Sequence, residues 1–409
     1  MRERAKTAGF VLAAAALAVA AAVVEPESAA PEIFSDQGEV FFSKLADPLA
    51  AKALEVVEYD EATATARPFK VEFKRGKWTI PSHYNYPADA KDRLVKTAAA
   101  LVDLRKDQVR SDRVEDHGKY SVIDPLDPKV ASLTGRGKRV TLRDEQGQAL
   151  AELILGQPVK DKPGYRYARL PGQKRIYAVK TDADPSAKFE DWIETDLLKL
   201  SASAVRRVSI HRYSINEALG RLENVENMVL TREKEAWKMA GVEKLNTAAI
   251  QGMLAALSNL KIVGVRPKPP GLAGNLRSGG GLQLSMESMM SLRQKGFFVT
   301  PDGRLLSNEG ELGVETSKGL AYTLRFGEVL TGPAEAKEAK REGESRHLFV
   351  TVSHDPAREA KYAGEGSGTP GSGERLAREM SSRFADWYYV ISGADFGKLR
   401  PKRIDLARG

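Results

Sequence analysis

The sequence contains no cysteine, and this absence excludes three kinds of chemistry. Disulfide bonds, thiolate metal sites and cysteine nucleophiles all need a residue that none of the 409 positions supplies. The lack of free thiols is compatible with an oxidising compartment, where a free thiol is a liability, although it does not identify that compartment.

The sequence also lacks a concentrated basic region. It has 63 Lys and Arg against 55 Asp and Glu, for a net charge of +8, and the two signs are interleaved along the chain. Nucleic-acid-binding proteins usually gather their basic residues on one face or tail. We therefore expect a solvated surface of mixed charge and no nucleic-acid partner.

No catalytic or metal-binding pattern stands out among the histidines. The five are His83, His117, His211, His347 and His354. None follows another at the i, i+4 spacing of a helical metal site. His83 lies in an aromatic, proline-containing turn beside Tyr84 and Tyr86, and Asp116-His117 resembles a carboxylate that orients an imidazole. We favour structural roles, with a hydrolase site at His83 or His117 as the alternative, and expect no enzyme activity, no catalytic residues, no metal and no cofactor.

Two glycine-rich segments resemble phosphate-binding loops only superficially. Gly135-Arg-Gly-Lys-Arg139 lacks the Gly-Lys-Ser/Thr ending, and it precedes a predicted strand where a phosphate loop would open a helix. Gly279–Gly281 has the wrong context as well and is typical of a flexible loop. The sequence therefore predicts no nucleotide site.

The N-terminal 30 residues are expected to form a membrane anchor. Arg2, Arg4 and Lys6 precede an uncharged, alanine-rich run at 7–24. At about 1.5 Å per residue this run spans about 27 Å, just enough for a bilayer. Basic residues before the span predict that the rest of the chain is extracytoplasmic, in the periplasm of a single-pass protein. A cleaved signal peptide is the alternative, with small residues at Ala20–Ala22 and Ser28–Ala30.

Internal repetition dominates the rest of the sequence. Phe189-Glu-Asp-Trp192 returns as Phe384-Ala-Asp-Trp387, and each copy follows a Trp-bearing strand, a helix of Leu and Ala, and a glycine-punctuated β segment. The paired markers are Trp78 with Trp237, the helical residues 94–104 with 245–260, and Leu150–Gly156 with Ala321–Gly327. The sequence predicts two tandem α+β modules, 31–200 and 201–409, with mostly antiparallel sheets and mobile loops near 264–283 and 355–378.

Two aromatic features have both structural and binding interpretations. In each Asp-Trp pair we expect the Trp to pack and the Asp to cap a short helix, with a ligand pocket as the alternative. A second segment alternates Tyr and Arg, residues favoured at protein interfaces, so it is the best candidate for partner contact. A plain solvent-exposed hairpin is the more favoured interpretation of that segment, which contains Tyr165, Arg166, Tyr167, Arg169, Arg175 and Tyr177.

Several of these motifs resemble the domain-of-unknown-function 4340 family. The resemblance covers roughly residues 50 to 400. It rests on five features: the basic N-terminus with one span, the segments Trp78–Pro81 and Asp89–Lys91, the strand-turn-strand-glycine pattern Leu142–Gly156, the Tyr-Arg segment Tyr165–Val179, and the Phe-x-Asp-Trp helix. It implies a membrane-anchored bacterial protein of unassigned activity that carries the module twice. Family members are often encoded near components of gliding-type transporters, which is an association and not a mechanism.

The leading functional expectation is a non-enzymatic, membrane-tethered accessory or scaffold protein. Its partners would be the membrane and subunits of an ATP-driven (ABC) transporter, which would hydrolyse the ATP because this chain has no nucleotide loop. The alternative is a module that binds an envelope glycan or a small ligand through the turn Tyr84–Tyr86 or the Tyr-Arg hairpin.

Overall fold

The computed structural model describes residues 36–216, 219–234, 236–278, 284–330, 344–362 and 371–407. The predicted anchor at 1–30 and the glycine run Gly279–Gly281 lie outside this part of the chain. Within it, no helix combines the length and the apolar character needed to cross a membrane.

Nineteen strands in the described residues build two large antiparallel sheets and one small hairpin. The first sheet is formed by β1 (Ala53–Asp60), β2 (Thr65–Lys74), β3 (Lys77–Ile80), β4 (Tyr86–Pro87), β5 (Gln108–Ser111), β6 (Lys138–Arg143), β7 (Ala149–Pro158), β8 (Tyr165–Arg169) and β9 (Ile176–Lys180). The second sheet is formed by β10 (Val205–Asn216), β11 (Arg221–Glu233), β12 (Ala236–Met239), β13 (Gly264–Pro267), β16 (Glu311–Thr316), β17 (Leu320–Val329), β18 (Arg346–His354) and β19 (Trp387–Ile391). The hairpin pairs β14 (Phe297–Val299) with β15 (Leu305–Ser307).

Helices connect and cover these sheets. The α-helices are α1 (Lys91–Ala99), α2 (Thr247–Ser258), α3 (Pro270–Ser278), α4 (Met286–Gln294), α5 (Pro356–Lys361), α6 (Ser372–Ala385), α7 (Gly393–Leu399) and α8 (Arg403–Ala407). Short 3-10 turns occur at Pro48–Ala50, Pro81–His83, Val114–Asp116, Phe189–Trp192 and Ala202–Ala204. The mixed architecture with antiparallel sheets confirms the predicted α+β class for the described residues.

The two sheets have the same strand order. The first runs β4-β3-β2-β1-β6-β7-β8-β9-β5 and the second runs β12-β11-β10-β16-β17-β18-β19-β13. Apart from the extra edge strand β4, each strand of one sheet has a counterpart in the other. The helices α1 and α2 also occupy the same place in the order, each just before the strand that closes the far edge.

A local feature repeats at equivalent positions of the two sheets. The register of β7 against β8 shifts between Leu155 and Pro158, and the register of β17 against β18 shifts between Phe326 and Val329. Inside each bulge lies a glycine, Gly156 or Gly327. Bulges of this kind re-aim the strand and its side chains.

The arginine opposite each bulge is equivalent as well. Arg166 of β8 pairs with Pro158, and its Nε and Nη2 donate to Gly156 O at 3.1 and 3.0 Å. Arg346 of β18 pairs with Val329, and its Nη1 donates to Gly327 O at 3.0 Å. The glycine, the bulge and the arginine therefore form one unit that appears in both sheets.

Burial alternates along the strands as the pleat requires. In β17 the side chains of Leu320, Tyr322, Leu324 and Phe326 are buried and the residues between them are only partly covered. The inner faces of both sheets contribute to one continuous apolar cluster, which also holds residues of α1, α2 and α6. The two sheets thus share a core.

The outer faces of the two sheets are covered differently. Over the first sheet, residues 112–137 form a loop, and only Val122, Ile154 and Ile176 make a small buried cluster there. Over the second sheet, α3, α4 and the β14–β15 hairpin enclose a larger core. That core contains Leu272, Leu292, Phe297, Leu305, Phe349 and Tyr388. In both sheets the cover is the chain that leaves the far edge strand and leads back to a central strand. It runs from β5 to β6 in the first sheet and from β13 to β16 in the second.

Parts of the predicted mobile loops are instead regular structure. Within 264–283, residues 264–267 form β13 and 270–278 form α3; within 355–378, residues 356–361 form α5 and 372–378 open α6. The loop prediction is therefore wrong for these residues. Proline and glycine dominate the first segment, yet Pro270 occupies the first position of α3, where its missing N–H has no intrahelical partner to lose.

Candidate binding cleft and the junction between the sheets

The two Phe-x-Asp-Trp tetrapeptides are not equivalent in the fold. Phe189–Trp192 is a 3-10 turn that follows β9, whereas Phe384–Trp387 joins the end of α6 to the start of β19. β19 is the counterpart of β9 in the strand order. The first tetrapeptide therefore follows its strand, β9, whereas the second precedes its strand, β19. Their use as matching ends of two modules is therefore wrong.

The two tetrapeptides nevertheless meet, on either side of one tyrosine. The ring of Tyr86 lies 5.5 Å from that of Phe189 and 5.0 Å from that of Trp387, centroid to centroid. Tyr86 is 4% exposed. An aromatic residue of the first sheet is thus enclosed between the two repeated motifs, and this contact is the centre of what we call the junction.

Polar contacts surround the aromatic centre of the junction. Arg383 Nη1 donates to Asp196 O at 3.0 Å, and Tyr322 Oη donates to Leu198 O at 3.0 Å. Lys199 Nζ and Glu379 form an ion pair of 2.8 Å. Each of these contacts joins the segment that follows the first sheet to an element of the second, so they restrain how the two sheets are placed.

The aspartates of the tetrapeptides do not cap helices as predicted. Asp191 accepts a hydrogen bond from the Ser186 hydroxyl, and no side chain caps the 3-10 turn that contains it. Asp386 ends α6 and pairs with Arg277 of α3. The tryptophans do pack as predicted: Trp192 is 1% exposed and its Nε1 donates to Ser186 O at 2.9 Å.

His83 is packed into the junction. Its ring stacks on Phe189 with centroids 4.4 Å apart, and its Nδ1 lies 3.1 Å from Ser82 Oγ. Burial and, as a smaller cause, the nearby Arg266 guanidinium lower the pKa of His83 to about 4. The imidazole is therefore neutral at pH 7, and its surroundings are those of a packed side chain.

The other four histidines lie apart from one another. His347 is buried, and its pKa is lowered to about 3 by burial and by Lys295 and Arg266. His354 Nε2 contacts Glu359 at 2.7 Å, and His211 lies 3.9 Å from Glu311. Within the described ranges no group of three or more His, Asp or Glu side chains could hold a metal ion.

Two side chains of the Tyr-Arg hairpin, Arg175 and Tyr177, make internal contacts. Tyr177 is 1% exposed and its hydroxyl donates to Asp36, while Arg175 binds both Asp36 and Asp112. The pairing of β5 with β9 covers what the sequence presents as a free edge. The prediction of a solvent-exposed hairpin is wrong for Tyr177, whereas partner contact through the half-buried Tyr165, Arg166 and Tyr167 stays a prediction.

The basic stretch at residues 135–139 organises the loop over the first sheet. Arg136 donates through Nη1 to the carbonyl oxygens of Asp124 and Asp127, at 2.9 and 3.1 Å, and its guanidinium lies 4.4 Å from the Tyr59 ring centroid. It also donates from Nε to Ser132 O at 3.1 Å. The segment is an arginine-centred loop and not a phosphate cradle.

This loop leaves a cleft of about 400 Å³ between itself and the sheet. The side chains around it combine a charged floor with an apolar rim, and include His117, Asp124, Asp127, Arg139, Arg169 and Lys174 on the polar side. Val114 and Leu126, which are 59% and 48% exposed, form the rim. The volume lies in the range of small-molecule sites.

Arg169 is the most deeply buried charge in the cleft, at 5% exposure. Its Nε donates to Val122 O at 2.9 Å and its Nη1 to Gln173 O at 2.7 Å. The described residues include no carboxylate within ion-pair distance of it. Burial lowers the pKa of the Arg169 guanidinium, while Asp124 and Asp127 act in the opposite direction.

Two neighbouring charges in the cleft, Arg139 and Asp124, are already paired. Arg139 forms ion pairs with Asp124 at 2.8 Å and with Glu152 at 2.6 Å. His117 does not bond Asp116 as the sequence suggests; its Nε2 donates to Lys174 O at 2.9 Å, and burial lowers its pKa. Its neutral ring therefore fixes one wall of the cleft.

Sequence reasoning also missed a buried lysine. Lys268 Nζ donates to Phe384 O at 2.7 Å and lies 4.0 Å from the Phe349 ring centroid. Burial lowers its pKa to about 7, with Asp386 acting in the opposite direction. The surrounding Arg-Pro-Lys-Pro-Pro sequence suggests an exposed loop, so only the packing of α3 and α6 reveals it.

Comparison with known proteins gives one match. No curated protein and no solved structure matches the chain. A protein-family profile described as "Domain of unknown function (DUF4340)" matches residues 78–274, from β3 of the first sheet to α3 beyond the second sheet's edge strand. Over those residues the chain is similar to this family, which confirms that part of the resemblance; a second copy of the family's domain stays a prediction.

Proposed function

We propose that this protein is a non-enzymatic scaffold, tethered to a membrane by residues 1–30 and otherwise extracytoplasmic. The observation that carries the proposal is the junction, where Tyr86 is enclosed between Phe189 and Trp387 and one apolar cluster runs through both sheets. A shared core of this kind holds two sheets in a fixed arrangement, whereas separate modules on a linker would move independently. A fixed arrangement suits a protein that positions partners.

The scaffold is proposed to consist of two copies of one ancestral unit. The common strand order supports this, as does the glycine, bulge and arginine unit at Gly156 and Arg166 and again at Gly327 and Arg346. A bulge at the same place in both sheets is the sort of feature that persists when two copies diverge. The boundary then lies near residue 200, between β9 and β10.

The proposed partners are subunits of an ATP-driven transporter of the gliding type. The support is the family resemblance together with the basic and apolar sequence at 1–30. A tagged full-length protein, purified from gently solubilised membranes, should bring transporter subunits with it in a fixed ratio. The control is the Lys261→Met variant, an exposed change that should purify identically. Recovery of the protein alone would contradict the proposed partnership.

The proposed topology has its own test. Protease added to cells with a permeabilised outer envelope should remove the bulk of the chain and leave only the N-terminal segment protected. Complete protection until the inner membrane is opened would place the chain on the other side and contradict the proposal.

A small-ligand role is the second candidate, and it moves to a different place in the molecule. The sequence places it at Tyr84–Tyr86 or the Tyr-Arg hairpin, and one aromatic side chain of each, Tyr86 and Tyr177, is used in internal packing. The cleft beside Arg169 is the observation that favours it. Envelope glycans that raise the melting temperature in a thermal-shift screen would support a glycan-binding role. An unchanged melting temperature with all of them would count against that role.

A further inference from the structure

We propose that the cleft over the first sheet binds a small monocarboxylate with a short apolar body. This site is independent of the scaffold role and of the junction. The proposal rests on the volume of the cleft, on the free donor that Arg169 presents to it and on the apolar rim.

The Arg169 guanidinium has donors left over. Its Nε and Nη1 are used by the carbonyl oxygens of Val122, Leu170 and Gln173. Its Nη2 makes no hydrogen bond to any residue that the structure describes. This nitrogen is not fully buried, so a ligand can reach it. An arginine that is 5% exposed, lines a cleft and keeps one nitrogen without a hydrogen bond can donate a charge-assisted hydrogen bond to an acceptor from outside.

The charges of the cleft favour a monoanion at Arg169. The lining holds the cations Arg139, Arg169 and Lys174 and the carboxylates Asp124 and Asp127. Glu152 pairs with Arg139 from outside the lining, so these charges together balance, and the lowered pKa of His117 leaves that ring neutral at pH 7. A phosphate dianion would meet Asp127 without enough compensating charge, whereas a carboxylate needs only the guanidinium of Arg169.

The rim specifies the rest of the ligand. Val114 and Leu126 are large apolar side chains exposed at the mouth, and Ile123 and Val130 continue the apolar surface inward. An aliphatic group attached to the carboxylate would cover this surface and be held by its removal from water. A free branched-chain acid and the C-terminal residue of a peptide share this chemistry.

Two matched pairs of probes separate the charge from the apolar body. Isovalerate and isovaleramide have the same branched chain with and without the carboxylate. N-acetyl-leucine and N-acetyl-leucinamide repeat the comparison with a peptide bond added. Calorimetry with the full-length protein should show saturable binding of an acid and at least about tenfold weaker binding of its amide, the usual scale of a lost charged contact.

The two acids distinguish the sources of the ligand. Tighter binding of isovalerate assigns the cleft to free acids, and tighter binding of N-acetyl-leucine assigns it to peptide C termini. Equal binding of acid and amide would overturn the proposal. So would the absence of saturable binding by both acids up to about 10 mM, where even a weak fragment-sized complex is well populated.

Variants locate the binding in this cleft. Arg169→Gln should weaken the acid at least about tenfold. Asp127→Asn removes a like charge while keeping the side-chain acceptor that Lys129 N uses at 2.8 Å, and should tighten binding about threefold. Arg143→Gln, on the same sheet but outside the cleft, is the matched control and should bind as the wild type does.

Arg169 also holds a turn together, so its replacement could unfold the protein. Val114→Trp avoids this problem, because Val114 is 59% exposed on the rim and a larger side chain there narrows the mouth without entering the core. It should weaken the acid while leaving the melting temperature unchanged. Unchanged affinity in both Val114→Trp and Asp127→Asn would show that the acid binds elsewhere.

Discussion

The two sheets have the same strand order but are covered in different ways, and the difference decides where each could bind anything. In the first sheet the chain between β5 and β6 is a loop built around Arg136, and it leaves a cleft beside the buried Arg169. In the second sheet the chain between β13 and β16 supplies α3, α4 and a hairpin, and these fill the same side with Phe297, Phe349 and other apolar residues. One architecture thus supports an open polar face and a closed apolar one.

The largest expected effect on stability comes from the junction, where the two sheets share one core. Tyr86→Ala should lower the free energy of unfolding by about 3–5 kcal/mol, because it removes a buried ring from between Phe189 and Trp387. Chemical denaturation followed by tryptophan fluorescence measures this loss.

The neighbouring Tyr84 is the matched control for that experiment. It is 52% exposed, so Tyr84→Ala should cost less than about 1 kcal/mol. Similar losses in the two variants would mean that the junction contributes no more than the surface does.

The next largest effect on stability is expected from substitutions at the two bulge glycines, each of which lies against the cover of its own sheet. A Cβ at Gly156 would collide with the carbonyl oxygen of Tyr120, and a Cβ at Gly327 with that of Lys295. Both Gly156→Ala and Gly327→Ala should therefore destabilise the protein by about 1–3 kcal/mol or more. Gly327→Ala should cost more, since its cover encloses a core.

Gly252→Ala in α2 is the control for those substitutions. Apart from the neighbouring turns of its own helix, nothing lies within 4 Å of a Cβ built there, and alanine is the better helix former. Differential scanning calorimetry should show a small gain for this variant. Losses confined to only one of the two bulge glycines would break their equivalence.

Burying the charge of Lys268 beneath the cover of the second sheet should lower the stability of the folded protein. Its pKa of about 7 lies below the ordinary 10.5, so the unfolded chain holds a proton that the folded chain holds less tightly, and stability is lost as the pH falls from 10.5 toward 7. Lys268→Met should raise the stability at pH 7 by about 1–3 kcal/mol and have little effect above pH 10.5.

Denaturant titrations at the two pH values check this prediction, with the exposed Lys261→Met as the control. A loss of stability at pH 7 in Lys268→Met would show that the hydrogen bond to Phe384 O outweighs the burial of the charge.

The effect that is smallest at pH 7 is a change in pH dependence at the junction. The pKa of His83 is about 4 in the folded chain against an ordinary 6.5, so the unfolded state binds an extra proton between these values. Stability from this group is complete above pH 6.5 and falls as the pH drops toward 4. His83→Phe keeps the stacking on Phe189 and should reduce that slope by about one proton, or 1.4 kcal/mol per pH unit.

A parallel titration of His211→Phe, whose ring is partly exposed, provides the comparison. If His83→Phe and the wild type lose stability equally between pH 6.5 and 4, the lowered pKa of His83 is contradicted.

Much of the fold could be predicted because periodicity is a local signal. The strands around Trp78 and Trp237, the two helices and the equivalence of Gly156 with Gly327 all follow from alternation, helical spacing and glycine positions. The Phe-x-Asp-Trp pair misled because four residues are too few to fix a place in a sheet. In the fold, Phe189 of one and Trp387 of the other pack against Tyr86, from opposite ends of equivalent strands.

The candidate site could not be predicted, and the reason is physical. Arg169 belongs to a segment that alternates Tyr and Arg, which is typical of an exposed hairpin. It is buried only because residues 112–137, distant in sequence, fold over it. β5 and β13 carry almost no periodic signal in the sequence, because each is an edge strand of four residues with polar or proline content.

Native-state hydrogen exchange tests most directly whether the two sheets form one unit. As denaturant is raised, the slowest amides of β7 and β17, the central strands that carry the bulges, should converge on one opening free energy that equals the free energy of global unfolding. Tyr86→Ala should lower both by the same amount. If one sheet opens at a clearly lower free energy than the other, or if Tyr86→Ala affects only one of them, the shared core does not couple the two sheets and the account is wrong.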